Sequence, residues 1–495
     1  MAPIRRRRPG RSGPARAAIV VMVSVLAVAL VGCGGRSDSS GTALQWKRCA
    51  DGWECTMLRV PVDYREPGGP TVALAVTRHR ATEPAQRIGP LFVNPGGPGE
   101  SAVSFAQSSL SVLPSPVRER FDIVAFDPRG VGKSAPINCN ANVDDLFRGL
   151  DISPDTAQER QALEAASDRF ARACASGPSA TLLGHVDTAT IARDMDSVRV
   201  ALGAPQLSYV GFSWGTYLGA WYAELFPRTV RAMVLDGAVD PARTTEQSVN
   251  EQAEGFDASL RAFLADCAAA SSCAFSNGGD PAGAFNRLAA AIDRQPVPAG
   301  DEVVGPSEFE IAVAAYLYGG RAAWPALATA LTRAQAGDAS QLRQAYAEYV
   351  GLQPSGDNGS YESYVALTCG DVPRVGDVSA YEAAAQRAAA AAPVFGPSTA
   401  YLGLPCATWP VDGPNPPRAL RAAGAPPIVV IGTAGDPATP LDWATALASE
   451  LESGVLVTSN GTSHTAIGRS DCVDRAVEGY LISLTVPKGL ACTDA

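Results

Sequence analysis

An α/β architecture on a mostly parallel sheet, with helices on both faces and a large helical insertion, is predicted by three observations. The run Pro427–Gly432 is nearly continuous in Ile and Val, as a parallel strand buried on both faces should be. A second apolar run, Leu207–Val210, passes through Gly211-Phe-Ser213-Trp-Gly215 into a helix-like stretch at 216–226. Finally, roughly 190 residues separate the run ending at Asp236 from the next one near Pro427. Most of that interval carries Ala-rich helical patterns broken by Pro and Gly.

The strand-turn-helix order around Gly211–Gly215 is the nucleophile elbow of an α/β-hydrolase. The turn is so sharp that side chains at its flanks would collide, hence glycine at 211 and 215. Strain there lifts the Ser213 hydroxyl clear of the sheet. A hydroxyl is a poor nucleophile until a base takes its proton. The chain has three histidines, His79, His185 and His464. In this fold acid and base follow the serine in sequence, so His464 is the expected base. His79 falls in an alternating strand at 71–80 and His185 in a loop before a helix, which suits structural roles. His464 lies in Asn460-Gly-Thr-Ser-His-Thr, just past the apolar strand 454–458.

The acid should end the strand before. Run 427–432 leads into Thr433-Ala-Gly-Asp436-Pro-Ala-Thr-Pro440. Asp436 would accept a hydrogen bond from His464 and fix its tautomer. The competing reading makes Asp436 a turn or cap residue, with Asp442 as the fallback acid. An oxyanion needs donors placed in advance. Trp214 N–H is one. The loop Asn94-Pro-Gly96-Gly97-Pro-Gly99-Glu100-Ser101, after the strand-like Pro90–Val93, offers Gly97 N–H as the other. Asp127-Pro-Arg-Gly130-Val-Gly132-Lys133-Ser134 follows the strand 121–126 and superficially resembles a phosphate loop, but Asp127 stands where a Walker loop needs Gly. It reads as a structural turn beside the site. No HExxH or clustered histidines suggest a metal, and no cofactor is implied.

These motifs carry a family resemblance. Asn-Pro-Gly-Gly-Pro-Gly, Asp-Pro-Arg-Gly-x-Gly-x-Ser and Gly-x-Ser-Trp-Gly resemble the prolyl aminopeptidase group of α/β-hydrolases. The match is closer to the secreted tripeptidyl aminopeptidases of actinobacteria and their cell-envelope relatives, and spans most of the chain. Asn94 stands where prolyl aminopeptidases usually carry histidine, which fits the tripeptidyl branch. The resemblance implies a serine peptidase, and it implies sequential disulfides: Cys49–Cys55, Cys139–Cys174, Cys267–Cys273, Cys369–Cys406 and Cys472–Cys492. Spacing alone leaves that connectivity open. Five bridges fit an exported chain whose ten cysteines remain after Cys33 is set aside.

The N-terminus reads as a targeting segment. Arg5–Arg8, Arg11 and Arg16 precede an apolar stretch, 17–31, short for a membrane span. Leu30-Val-Gly-Cys33 looks like a lipobox, so Cys33 would be lipidated and would hold the chain on the outer face of the membrane. The alternative is ordinary signal cleavage and secretion, with Cys33 incidental. Without those six arginines, 34 basic residues face 50 acidic ones, a net charge of −16. That disfavours nucleic acid as a partner.

The expected organisation is a signal (1–32), a Ser/Gly-rich tether (33–44), a hydrolase core (45–240 and 416–495) and a helical cap (241–415). Helical patterns in the cap fall at 259–270, 281–294, 307–318, 322–350 and 380–392. A cap excludes water and gates substrate size. An aminopeptidase must also hold a free ammonium, most simply with a carboxylate. Candidates are Glu246, Glu251 and Glu254 in the first cap segment and Glu100 beside the oxyanion loop. For tripeptide release the anchor should lie ~10 Å from Ser213, three extended residues at ~3.3 Å each. The expected function is an exported serine exopeptidase cutting short peptides from free N-termini. The rival readings are an esterase or lipase of envelope lipids, which would lack the anchor, and a non-catalytic surface lipoprotein. Oligomeric state is not legible.

Overall fold

The computed structural model describes residues 44–353, 356–357, 359–374 and 376–494. The signal, the lipobox at Cys33 and nearly all of the tether lie outside the described residues. Counting only the strands of the large sheet, the chain runs β1 (Lys47–Ala50), β2 (Trp53–Pro61), β3 (Thr71–His79), β4 (Gly89–Asn94), β5 (Phe121–Phe126), β6 (Leu207–Phe212), β7 (Val230–Asp236), β8 (Ile428–Thr433), β9 (Gly454–Ser459) and β10 (Leu490–Cys492). Their spatial order is β1-β2-β3-β5-β4-β6-β7-β8-β9-β10. The first strands join antiparallel as far as β3–β5, and every pairing from β5 to β10 is parallel.

Both faces of the parallel strands are buried, and the period of two shows it. Val124, Tyr209, Met233, Leu235, Ile428 and Val430 join one core, with helices Thr188–Ala201, Trp214–Leu225 and Leu441–Glu450. Ile123, Val210, Ala232, Val234, Val429 and Ile431 join another, with Ala102–Ser108 and Asp471–Ser483. A strand apolar on both faces can only sit between two helical layers.

The chain leaves the sheet after β7 and returns at β8. Between them, helices Thr245–Ala269, Pro281–Arg294, Pro306–Leu317, Trp324–Gln335, Ser340–Tyr349, Ser360–Asp371, Val378–Ala391 and Gly396–Leu402 form the insertion. Three expectations need correction. The first helix begins at Thr245, not 259, because Thr244 and Gln247 form a reciprocal capping box. The 322–350 pattern is two helices, divided at Ala336–Ala339, where Gly337 takes φ +90°. Helices 360–371 and 396–402 were not foreseen. The Ser360–Asp371 helix is buried over most of its length, so it carries no amphipathic stripe to read.

The cap is also not made of the insertion alone. Residues before β6 join it: Ile152 N–H donates to Ser307 Oγ at 3.1 Å, Ser153 Oγ to Glu310 at 2.6 Å, and Cys139 N–H to Glu362 at 2.9 Å. All five disulfides pair sequentially. No helix among the described residues is long and apolar enough to cross a membrane.

Candidate active site

Ser213 ends the turn after β6 with φ 54° and ψ −128°, a conformation that L residues adopt only under constraint. The flanking glycines show what imposes it. A Cβ on Gly211 would lie 2.4 Å from Gly215 O, and one on Gly215 would lie 2.8 Å from Asn94 O. The elbow is clamped further by Ser213 N–H donating to Asp236 O (3.0 Å), Thr216 Oγ1 to Ser213 O (2.6 Å) and Tyr209 OH to Gly215 O (2.6 Å).

His464 lies in the loop after β9. Its Nδ1 is 2.9 Å from both carboxylate oxygens of Asp436, in the loop after β8. Asp436 is buried, and Ala438 N–H, Thr439 N–H and Thr439 Oγ1 each bond it at 2.9 Å. The turn reading of Asp436 is therefore also true, though the helix after it is capped at Pro440: one carboxylate serves both the turn and the imidazole. The fallback, Asp442, is exposed in the first turn of the next helix. Burial pulls the His464 proton affinity down, but the charges of Asp436 and, further off, Asp236 outweigh it, so the imidazole titrates above its ordinary range. Nε2 is buried and has no hydrogen-bond partner among the described residues. His464 and Ser213 line the same cavity.

Two contacts on the histidine were not readable in the sequence. Asp236, closing β7, accepts Ala466 N–H (3.0 Å) and Ile467 N–H (2.8 Å). Burial pushes its own carboxyl up to about 6. One residue thus braces the elbow through its carbonyl and the histidine loop through its carboxylate. Its position at a strand end was the only available signal. The second is Tyr318, from the cap. Its carbonyl accepts His464 N–H at 2.9 Å, and its ring meets the imidazole edge-on at 5.2 Å. A Cβ on Gly320 would strike Ser463 N at 2.6 Å, so the cap sits directly on this loop.

Gly96 packs on the elbow. A Cβ there would lie 2.8 Å from Ser213 Cβ and 3.0 Å from Trp214 N. Gly97 is next along and lines the cavity with Ser213. Neither Gly97 N–H nor Trp214 N–H makes a hydrogen bond among the described residues. The Asp127–Ser134 turn supports this loop: Asp127 accepts Ser101 Oγ (2.7 Å), Val103 N–H (3.0 Å) and Lys133 N–H (2.9 Å). Fully buried Arg129 forms a two-pronged pair with Asp194 (2.7 and 2.6 Å) and donates to three backbone carbonyls, including that of His185. His79 packs edge-on against Trp53. Neither His79 nor His185 lines the cavity that holds Ser213 and His464.

The cavity holds about 490 Å³ and is walled by Phe105, Phe212, Tyr318, Tyr349, Tyr361 and Tyr364. Of the four carboxylates expected as ammonium anchors, only Glu100 lines it. Glu246 pairs with Arg387, Glu251 with Arg243 and Trp443 Nε1, and Glu254 is exposed away from the cavity. The first cap helix turns those three elsewhere. Glu100 is solvent-exposed at the cavity mouth and has no ion pair or hydrogen bond among the described residues; the protein crowding its carboxyl raises it only by partial desolvation. Glu348, on the cap helix Ser340–Tyr349, faces the same cavity. Among the described residues the one His/Cys/Asp/Glu grouping of metal-site size is Cys472, Cys492 and Asp494, whose cysteines are bridged to each other.

Comparison with known proteins agrees with this geometry. Residues 89–278 match the family described as alpha/beta hydrolase fold, and residues 392–492 the family described as TAP-like protein. Serine protease Hip1 of Mycobacterium tuberculosis is 36% identical over 95% of this chain and 96% of its own length. Carboxylesterase B of the same organism is 35% identical, over 88% of this chain and 85% of that one. Tripeptidyl aminopeptidase of Streptomyces coelicolor is 32% identical, over 89% of this chain and 84% of its own. With an elbow serine, a downstream histidine and a buried aspartate in one place, the chain belongs to the TAP-like family of α/β-hydrolases and is a serine hydrolase.

Proposed function

We propose that this enzyme is an exported aminopeptidase that releases tripeptides from free N-termini. Ser213 attacks the scissile carbonyl while His464 Nε2 takes its proton and then gives it to the leaving amine. Asp436 holds the imidazole and stabilises its cation. Trp214 and Gly97 N–H groups receive the oxyanion. The acyl-enzyme is then hydrolysed by water in the same way.

The observation that carries the reading is Glu100: an unpartnered carboxylate facing an aromatic cavity beside the oxyanion loop. A substrate ammonium would give that charge a partner beside the aromatic wall. The cavity volume lies within the ~300–1,000 Å³ of sites that enclose drug-sized ligands. Of the relatives above, one is a tripeptidyl aminopeptidase, which supports the count of three. Five disulfides support export, since such bridges persist in oxidising compartments. Lipidation of Cys33 would then keep the enzyme on the outer membrane face.

The test is mass spectrometry of products from an unblocked ten-residue peptide and its acetylated twin. Tripeptides from the first and none from the second are expected. Equal turnover of both would remove the anchor, and faster turnover of acyl esters than of peptides would favour the esterase reading, which the carboxylesterase relative keeps in play. Ser213→Ala should abolish all turnover; removing the serine of a triad elsewhere costs ~10⁶ in kcat.

A further inference from the structure

Among the described residues the cavity is lined by one cationic side chain, Arg469, five residues past His464. Its guanidinium has no ion pair and no hydrogen bond among the described residues. The loop that carries it is well held. Asp236 fixes Ala466 and Ile467, Gly468 N–H donates to Asp474 (2.8 Å), and Arg469 N–H donates to Ala466 O (3.1 Å). Packing of Gly468 against Val112 sets the wall beside it.

We infer that Arg469 forms the leaving-side subsite and binds a carboxylate on the residue that follows the scissile bond. This rests on the peptidase reading above. His464 Nε2 must reach the departing amine, so the leaving residue passes along the histidine loop, where Arg469 stands. The positive charge of Arg469 opposes protonation of His464, so the two groups are electrostatic neighbours. Glu100 lies elsewhere. Its loop packs on the helix Ser360–Asp371, where a Cβ on Gly99 would strike Ser360 O at 2.5 Å. The aromatic cavity thus carries both signs of charge: the carboxylates of Glu100 and Glu348, and the guanidinium of Arg469 on the histidine loop. A guanidinium fork suits a carboxylate, which it can grip with two parallel hydrogen bonds. The carboxylate has two sources, an acidic side chain or the free C-terminus of a tetrapeptide.

The experiment compares kcat/KM on four peptides carrying the same three alanines before the cut. Two end in Glu-amide or Gln-amide, and two in Ala with a free or an amidated C-terminus. Trialanyl p-nitroanilide, whose leaving group is uncharged, reports on the peptidase reading by itself. Wild type should prefer the charged member of at least one pair by about tenfold, equivalent to ~1.4 kcal/mol. Arg469→Gln should bring that ratio near one, Arg469→Lys should keep part of it, and Arg469→Glu should turn it below one. Preference for Glu-amide assigns the side chain as the source; preference for the free terminus assigns the C-terminus. A wild-type ratio of one in both pairs, or a ratio that survives Arg469→Gln, overturns the inference while anilide turnover leaves the peptidase reading standing. If wild type cleaves neither anilide nor peptides, both readings fall together.

Discussion

Asp436→Asn tests the catalytic geometry most directly. The aspartate–imidazole separation is 2.9 Å, and the aspartate is fully buried with His464 only 11% exposed. At an effective dielectric of about 20, charges at that separation interact by roughly 6 kcal/mol. Asparagine removes the charge but can still accept a neutral hydrogen bond worth ~1 kcal/mol. The net loss falls on the imidazolium formed during attack and is about 4–5 kcal/mol, or ~10³–10⁴ in kcat. KM should change little, because the lost charge is felt only once the imidazolium forms. The assay is steady-state hydrolysis of a tripeptidyl p-nitroanilide at about pH 8, with near-UV circular dichroism to show that the variant is folded. A loss of less than tenfold in a folded variant would mean that Asp436 is only a turn residue.

Asp236→Asn should act on the pH profile instead. Catalysis needs neutral His464, so activity is lost as pH falls through its pKa, which in the wild type lies above the ordinary histidine value. Removing one of the two negative charges that hold it there moves the acidic limb of kcat/KM to lower pH; an unmoved limb would confine Asp236 to bracing the loop. Gly211→Ala should destabilise by ~3 kcal/mol or more, since the new methyl would lie 2.4 Å from a carbonyl oxygen; thermal unfolding within a few degrees of wild type would contradict the elbow packing. Replacing Cys369 and Cys406 by serine opens a link of sequence separation 37 and should cost ~4 kcal/mol, against ~2 for Cys267 and Cys273 at separation 6; denaturant unfolding would show the order reversed if native strain dominates. Arg129→Met leaves Asp194 buried without its cation and should cost ~3–5 kcal/mol, read the same way.

Legibility followed sequence distance. Strands β5 to β9 and the elbow were placed within a residue or two, because their signals sit in a few adjacent side chains. Helix ends in the cap were placed less well. Thr244 caps a helix whose first turns are polar, and Gly337 breaks a pattern that stays Ala-rich on both sides. Contacts between distant segments left no local mark at all. Nothing near Tyr318 announces that its carbonyl holds His464, 146 positions on.

The order of residues alone determined the chemistry on offer: a strained serine between obligatory glycines, one histidine downstream of it, and an aspartate closing the strand before. Those are constraints of backbone geometry and chain direction, and they act over a handful of residues. Which carboxylate faces the cavity was decided by folding. Glu246, Glu251 and Glu100 carry the same group, and only the angle of the first cap helix and the course of the Gly96–Ser101 loop separate an ion-paired charge from one that faces the cavity. The same holds for Arg469, whose lack of a partner among the described residues is a property of where the other carboxylates ended up.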